Sequence, residues 1–184
     1  FYSAAMDIRQ NLLTAAERQF YDHGFTATGM DAVARAAGMS SRTLYKHAGS
    51  KSELIVAVLD ERDRRFFEQI DRLDVSALFD ALARWIDSEG ARGCLFLRAL
   101  GETGGAQPDI AAAVLRHKKK LRQWVMDMVR AETGRDDAVL AGRIVLLFEG
   151  AVAASAYQGQ DAVRMALDVA GRMIGQARRK EGRS

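Results

Sequence analysis

A single proline, Pro108, in a chain of 184 residues is the feature that most constrains the fold. Proline breaks the interior of a helix, so a chain almost without it can form long, uninterrupted helices. Runs with the two-residue alternation of a half-buried strand are few, and apolar residues instead recur at helical spacing. The sequence therefore predicts an all-α protein.

Several apolar stripes mark the predicted helices. Residues three and four positions apart lie on one side of a helix, so each stripe is a side that packs inward. One stripe begins at Ile8, a second runs from Ile55 to Leu73, and a third lies between Ile110 and Met128. Glycine-containing stretches separate the stripes and are typical of turns.

Composition excludes several classes of protein. The 27 Lys and Arg residues nearly balance 24 Asp and Glu residues, so any nucleic-acid signal must be local. The single cysteine, Cys94, excludes a disulfide framework and a cysteine-rich zinc site. We therefore expect no metal and no cofactor. The sequence also lacks a P-loop, a G-x-S-x-G nucleophile elbow and a dinucleotide-binding glycine motif, so we expect no enzymatic activity.

The sequence also gives an expectation about location. No uninterrupted apolar run reaches the roughly 20 residues that a membrane-spanning helix needs. The chain does not begin with a basic segment followed by an apolar one, as a signal peptide would. We expect a cytoplasmic protein with no membrane contact.

Residues 28–47 predict two short helices joined by a tight turn. Thr28 is followed three positions later by a carboxylate, Asp31, which is the pattern of a capping box at a helix start. Gly38 suits the left-handed corner between the helices, and Ser40 is a good N-cap for the second one. This arrangement is a helix-turn-helix.

The second of these helices has a positive face that is rich in hydrogen-bond donors. At 100° per residue, Leu44 points toward the core, and no acidic residue occurs between positions 40 and 51. The residues that share the opposite arc are Ser41, Arg42, Tyr45 and Lys46. Such a helix fits the major groove of DNA, which is about 12 Å wide.

Each candidate DNA contact follows from its donor chemistry. Arg42 and Lys46 are the predicted readers of base edges, because both can donate to guanine O6 and N7. Lys51 begins the next predicted helix, where main-chain N–H groups favour an anion. The predicted phosphate ligands, which fix the register on the duplex, are Thr28, Ser40, Thr43, Tyr45 and His47. Taken singly, these residues are also ordinary surface charges, junction residues or helix-end cations.

This stretch resembles the DNA-binding domain of the tetracycline-repressor (TetR/AcrR) family. The resemblance is carried by residues 24–34, by Ala37-Gly38-Met39-Ser40, by residues 43–47 and by residues 50–54. It covers residues 8–54, and this long ordered motif is more specific than a helix-turn-helix alone. It implies a homodimeric transcriptional regulator, usually a repressor that a small ligand releases from a palindromic double-stranded DNA operator. It also implies DNA contacts from Thr28, Thr43, Tyr45, His47 and Lys51.

Two positions depart from the family pattern. Ala48 stands where the family usually has Phe, and Gly29 stands where it usually has Ser or Thr. Loss of a large buried side chain costs about 2–5 kcal/mol unless neighbours fill the gap. We expect Met39 or Phe20 to fill the gap, or the second helix of the helix-turn-helix, the recognition helix, to pack more loosely. With Gly29 in place, Thr28 is the expected cap.

We divide the chain into a DNA-binding domain, residues 1–54, and an effector-binding and dimerisation domain, residues 55–184. In the second domain large apolar side chains recur on several helices, as they do in ligand pockets and also in ordinary cores. The predicted ligand-binding residues are Trp85, Phe96, His117, Trp124, Met128 and Phe148. His117 faces inward and needs a partner, either a main-chain carbonyl or a polar group of the ligand.

The predicted helix over residues 136–158 is apolar or small on nearly every side. A helix without a polar face is buried on two sides. We therefore predict a homodimer through the last two helices, 136–158 and 161–179, although a central helix of a monomeric bundle has the same pattern. The small-residue face suited to close approach comprises Gly142, Leu146, Gly150, Ala153 and Tyr157.

These features together predict a sequence-specific DNA-binding regulator, a repressor released by a small apolar or aromatic ligand. The helix predicted from Lys51 to Leu73 joins both domains and is the expected lever between them. Three alternatives stay open: a ligand-independent regulator or activator, a small-molecule binding protein with an inactive DNA-binding head, and an apolar dimerisation module without a pocket.

Overall fold

The computed structural model describes residues 2–103 and 105–181, and its side chains over residues 8–103 and 105–179. Within these ranges the regular structure consists of α-helices, which confirms the predicted all-α class. The helices are α1 (Tyr2–His23), α2 (Met30–Ala36), α3 (Ser41–Ala48), α4 (Lys51–Phe67), α5 (Val75–Glu89), α6 (Leu95–Thr103), α7 (Pro108–Thr133), α8 (Ala138–Gln158) and α9 (Gln160–Glu181).

Packing divides the chain into two compact units. Unit 1 comprises Phe1–Arg64 and Leu95–Arg116, and unit 2 comprises Arg65–Cys94 and His117–Ser184. The helix-turn-helix therefore shares its unit with α6 and the first residues of α7. The predicted boundary after residue 54 divides the chain by function rather than by packing, and it stays a prediction.

Unit 1 has its own apolar core. The rings of Phe20 and Phe25 stack with their centroids 5.1 Å apart, and both side chains are fully buried. Asn11 on α1 donates to the carbonyl of Ala37 at 2.8 Å, which joins α1 to the end of α2. The guanidinium of Arg62 pairs with a carboxylate on α1, so a polar contact adds to the apolar ones.

Unit 2 is built around an aromatic and aliphatic core from α5, α7, α8 and α9, joined by the end of α4. Its first complete helix, α5, starts at the N-cap Asp74, whose carboxylate accepts the N–H of Ala77 at 2.7 Å. A second carboxylate, that of Glu132 on α7, accepts the N–H of Val75 at 2.8 Å. These two acceptors satisfy donors that the first turn of a helix leaves unpaired.

Helix α4 is shorter than the sequence predicted. It ends at Phe67, and the N–H groups of Gln69 and Ile70 then bond to the carbonyls of Phe66 and Phe67 in a tight turn. Leu73, which the prediction placed on the inner stripe, is 50% exposed. The apolar spacing continues past the end of the helix because Ile70, which lies in the turn, is also buried.

Helix α8 has apolar residues on its buried and its exposed sides. Leu140, Ile144 and Phe148 are buried in the unit 2 core, whereas Leu146 is 73% exposed and Tyr157 is 78% exposed. By length and composition α8 is apolar enough to cross a membrane, and 33% of its most apolar window is buried. The core helix of a soluble protein can have the same length and composition.

Candidate nucleic-acid interface

The turn between α2 and α3 has the geometry that the sequence predicted. Gly38 adopts a φ of +64°, a left-handed conformation that side chains with a Cβ rarely adopt. The N–H of Met39 returns to the carbonyl of Ala34 at 3.0 Å and closes the corner. Ser40 then caps α3, with its Oγ accepting the N–H of Thr43 at 3.1 Å, which confirms the predicted cap.

The rotation of α3 about its axis is fixed by one side chain. Leu44 has no exposed surface, so the opposite side of the helix faces outward. The exposed residues of that side are Ser41, Arg42, Tyr45 and Lys46, as the helical wheel predicted. Thr43 and His47 flank it and are half-buried. The result is one outward face with two cationic side chains on a helix of eight residues.

Three hydroxyl groups at the start of α3 take part in hydrogen bonds with neighbouring residues. Ser40 Oγ and Thr43 Oγ1 lie 2.9 Å apart in a hydrogen bond. Ser41 Oγ donates to the carboxylate of Asp31 on α2 at 2.9 Å. These bonds order the hydroxyl oxygens beside Arg42.

Thr28 does not fill either of its predicted side-chain roles. The N-cap of α2 is Gly29, without a side-chain cap, so the predicted Thr28 cap and capping box are wrong. Thr28 is 3% exposed, and its hydroxyl donates to the carbonyl of Gly24 at 2.6 Å. Its side chain therefore braces the turn between α1 and α2 and is not presented to a phosphate.

Lys51 begins α4, as predicted, but its amine is already engaged. Lys51 Nζ donates to the carbonyl of Thr26 at 3.2 Å. The start of α4 is a capping box: Glu53 accepts the N–H of Ser50 at 2.7 Å, and Ser50 Oγ accepts the N–H of Glu53 at 3.2 Å. These bonds from Ser50 hold the pKa of the Glu53 carboxyl below its usual value. The chain's own carboxylate therefore takes up the N–H of Ser50 at this helix start, and an anion contact at Lys51 stays a prediction.

The Ser50–Glu53 capping box was visible in the sequence as Ser-x-x-Glu and was missed. It also explains Gly49, which has a φ of +70°. A Cβ at this position would collide with the Glu53 carboxylate. The end of α3 and the start of α4 are therefore joined by a turn that requires glycine.

The absence of a large side chain at position 48 leaves an open groove. The groove has a volume of about 280 Å³ and lies among residues of α1, α3 and α4. Its lining includes Leu12, Leu13, Ala48, Leu54, Ala57 and Arg9. The expected repacking by Met39 or Phe20 is wrong, because other side chains line the space and it stays open.

The predicted ligand-binding residues lie in different parts of the fold. Phe96 is buried on α6 in unit 1, whereas the other five belong to unit 2. Trp85, Met128 and Phe148 are buried members of the unit 2 core, and Trp124 packs against it. These side chains occupy the positions of an ordinary core, which was the stated alternative, and their contact with a ligand stays a prediction.

Aromatic contacts connect this cluster. The ring of Phe66 lies 5.5 Å from Trp85 and 5.8 Å from Phe148, measured between centroids. Phe67 lies 6.0 Å from His117 and 5.4 Å from Trp124. His117 is buried, as its position on the inner arc predicted. Within the described residues no group of three His, Cys, Asp or Glu side chains is arranged to hold a metal ion.

The geometry of the head agrees with comparisons to known proteins. The family model described as "Bacterial regulatory proteins, tetR family" matches residues 12–58, which run from α1 into α4. The HTH-type transcriptional activator FasR of Mycolicibacterium smegmatis is 32% identical over 160 residues, which cover 80% of this chain and 68% of that protein. The chain belongs to the TetR family.

A solved structure and a second curated relative extend the similarity beyond the head. The crystal structure of SCO4454, a TetR-family transcriptional regulator from Streptomyces coelicolor, matches with a TM-score of 0.85 and 28% identity, over 94% of this chain and 97% of that one. The HTH-type transcriptional regulator UidR of Escherichia coli K12 is 27% identical over 131 residues, which cover 68% of this chain and 66% of UidR.

Membership of the TetR family settles the broad function. The chain is a DNA-binding transcriptional regulator with an N-terminal helix-turn-helix head and a helical C-terminal domain. Its relatives are named as transcriptional regulators and not as enzymes. Regulators of this family bind operator DNA and typically act as dimers with small-molecule effectors.

The open groove at position 48 gives a prediction about stability. Ala48→Phe places an aromatic ring against Leu12, Leu13 and Leu54, and partial burial of that ring stabilises the folded state by about 1 kcal/mol. We expect the melting temperature, measured by circular dichroism, to rise by about 2–4 °C.

The matched control for this prediction is Ala36→Phe, which adds the same ring at an exposed position of α2. We expect no increase in melting temperature from that change. An Ala48→Phe protein that melts at or below the wild-type temperature would mean that the groove cannot accept the ring.

Proposed function

We propose that the chain is a homodimeric repressor that binds a palindromic operator and is released from it by a small apolar or aromatic ligand. The exposed face of α3 carries this proposal. Arg42 and Lys46 project from a helix that is anchored by the buried Leu44, and no acid occurs between positions 40 and 51. A face of this kind is suited to the major groove.

The contacts on this face divide by chemistry. Arg42 and Lys46 read base edges, because a guanidinium and an ammonium can donate to guanine O6 and N7. The residues around them hold phosphate oxygens and fix the register of the helix. This second set comprises Ser40, Ser41, Thr43, Tyr45, His47 and Lys51. Lys51 donates one of its three ammonium N–H groups to the Thr26 carbonyl, so the others can bind a phosphate.

The dimer forms through α8 and α9. Leu146 and Tyr157 on α8 are more than two-thirds exposed, and Met165 and Val169 on α9 are 55% and 43% exposed. Gly150 and Ala153 lie on the exposed side of α8 and allow a close approach of backbones. Large apolar side chains in this number favour a protein partner, and a second copy of the chain supplies the same surface.

The release mechanism depends on helix spacing. Two recognition helices of a dimer must lie about 34–36 Å apart to enter successive major grooves on one side of DNA. Helix α4 contributes its first fourteen residues to unit 1 and its last three to unit 2. A ligand that binds more tightly when α4 is displaced would change this spacing and lower operator affinity.

The aromatic cluster of unit 2 supports an apolar or aromatic ligand. Trp85, Met128 and Phe148 supply apolar surface, and the half-buried Trp124 lies at its edge. His117 adds a polar group beside Phe67. A ligand that enters here must displace some of these contacts, and this displacement is the step that couples binding to α4 through Phe66 and Phe67.

An activator is the second candidate function. FasR, which is 32% identical to this chain, is named a transcriptional activator. The same DNA-binding face serves both candidates, so they are separated by the direction in which the bound promoters respond.

The sign of regulation can be measured directly in the organism that makes the protein. Genomic binding sites are mapped by crosslinking and immunoprecipitation, and transcripts from the bound promoters are compared with and without the gene. We expect these transcripts to rise when the gene is deleted. A fall would identify an activator.

The matched control for the genomic experiment is the double variant Arg42→Ala, Lys46→Ala, which keeps Leu44 and the Ser40 cap. We expect it to reproduce the transcripts of the deletion strain. Wild-type transcript levels in the variant strain would contradict the assignment of α3 as the helix that reads base edges.

The dimer interface gives an independent prediction. Leu146→Glu places a carboxylate in the proposed interface, where burial of an unpaired charge is strongly unfavourable. We expect the variant to sediment as a 20.2 kDa monomer, whereas the wild type sediments at twice that mass.

Leu115→Glu makes the same change on α7, at a leucine that is 65% exposed, and we expect it to stay dimeric. A monomeric wild type, or a dimeric Leu146→Glu protein, would contradict dimerisation through this face.

A further inference from the structure

The loop between α1 and α2 is held by residues that are distant from it in sequence. The N–H of Thr26 donates to Glu102 Oε2 on α6 at 3.0 Å, and the Thr26 hydroxyl donates to the Glu102 carbonyl at 3.2 Å. On its other side the Thr26 carbonyl accepts Lys51 Nζ at 3.2 Å. One residue of the loop, Thr26, is thus bonded through its main chain to both α6 and α4, and all these residues belong to unit 1.

Arg98 fixes the carboxylate that makes these contacts. Its Nε donates to Glu102 Oε1 at 2.8 Å, and its Nη1 donates to the carbonyl of Tyr21, in the last turn of α1, at 2.8 Å. Partial burial tends to raise the pKa of Glu102. The N–H groups of Thr26 and Phe25 and the charge of Arg98 nevertheless hold it below its usual value. The carboxylate is therefore ionised at neutral pH, and its bonds to main-chain N–H groups are charge-assisted.

The first residue of the loop is a glycine in a left-handed conformation that lies close to Glu102. Gly24 has a φ of +92°, and a Cβ there would lie 3.0 Å from Glu102 Oε2. The carbonyl of Gly24 in turn accepts the buried hydroxyl of Thr28 at 2.6 Å. Helix α2 begins only two residues later, at Met30, so the position of this loop sets where the helix-turn-helix starts.

We propose that Glu102, oriented by Arg98, is a positioning residue for sequence-specific DNA binding. It acts through the main chain of Thr26: the loop fixes α2, and α2 fixes α3 through the turn at Gly38. Lys51, a predicted phosphate ligand, bonds to the carbonyl of the same residue, so the loop and the DNA-binding face share one network. Without Glu102 the head still carries its positive charge, but α3 is aligned less precisely with base edges.

This mechanism affects specific and non-specific binding differently. Non-specific binding depends on phosphate contacts and tolerates small changes in orientation, whereas bidentate contacts to bases do not. Loss of the Glu102 bonds therefore lowers the ratio of operator affinity to non-specific affinity. It leaves the dependence of affinity on salt unchanged, because no phosphate contact is removed.

Glu132 provides a matched control in unit 2. Like Glu102, it accepts from the main chain and pairs with a guanidinium: the N–H of Val75 lies at 2.8 Å and Arg178 Nη2 at 2.8 Å. Glu132→Ala therefore removes contacts of the same kinds without touching the α1–α2 loop. The two variants separate loss of positioning from loss of stability.

The test measures the affinities of wild type, Glu102→Ala and Glu132→Ala for the selected operator and for an unrelated duplex, at several salt concentrations. For Glu102→Ala we expect the affinity ratio to fall about tenfold, the effect of losing a charge-assisted hydrogen bond, with an unchanged salt slope. For Glu132→Ala we expect a change of less than about twofold, which is within normal variation for a distant site. Melting temperatures of both variants are measured in parallel.

Glu102→Gln covers the case in which the alanine variant does not fold. Its amide oxygen can still accept the N–H of Thr26, but it loses the ion pair with Arg98, so we expect an intermediate ratio. A wild-type ratio in every folded Glu102 variant would overturn the positioning role. Equal falls in Glu102→Ala and Glu132→Ala would also overturn it, because stability alone would then explain the effect.

The inference rests on the proposed role of α3, and the same data separate the two. A wild-type protein that does not distinguish the operator from the unrelated duplex would overturn the role of α3 and the positioning role together. A clear wild-type preference that Glu102→Ala retains would overturn the positioning role alone.

Discussion

Burial of Leu44 is the interaction on which the DNA-binding surface depends. A helix of eight residues has a single inward position here, and that position determines which side chains point outward. The Ser40 cap fixes where α3 begins, and the left-handed Gly38 fixes the angle at which it leaves α2. Arg42 and Lys46 face outward because of these three constraints. Without them the same residues would be ordinary surface charges.

The recognition helix is also constrained by residues far along the chain. Packing assigns α6 and the start of α7 to the same unit as the helix-turn-helix. The bonds of Glu102 to the α1–α2 loop and of Arg98 to the last turn of α1 are polar contacts within that packing. The unit that contains the head therefore extends beyond residue 54 in its packing, while the functional boundary stays a prediction. Helix α6 is bonded directly to the loop that precedes α2.

Local signals predicted what depends on local structure. Helical spacing and cap chemistry gave the outward face of α3, the Ser40 cap and the apolar composition of α8, since each involves neighbours within one or two turns. Thr28 was misassigned because its hydroxyl bonds to the earlier carbonyl of Gly24 rather than forward to α2. The Glu102–Thr26 bond spans 76 residues, and no local pattern can indicate it. The groove at Ala48 depends on whether side chains from three helices converge, which spacing alone does not determine.

The most direct test of the central claim is selection of bound duplexes from a random DNA library by the purified chain at physiological salt. A dimer that reads bases through α3 predicts a palindrome whose half-sites are about one helical turn apart, centre to centre. Binding without sequence preference, with an affinity that depends on the salt concentration and not on the sequence, would contradict the account. A single half-site without its palindromic partner would also contradict the account, because only one protomer would then read bases.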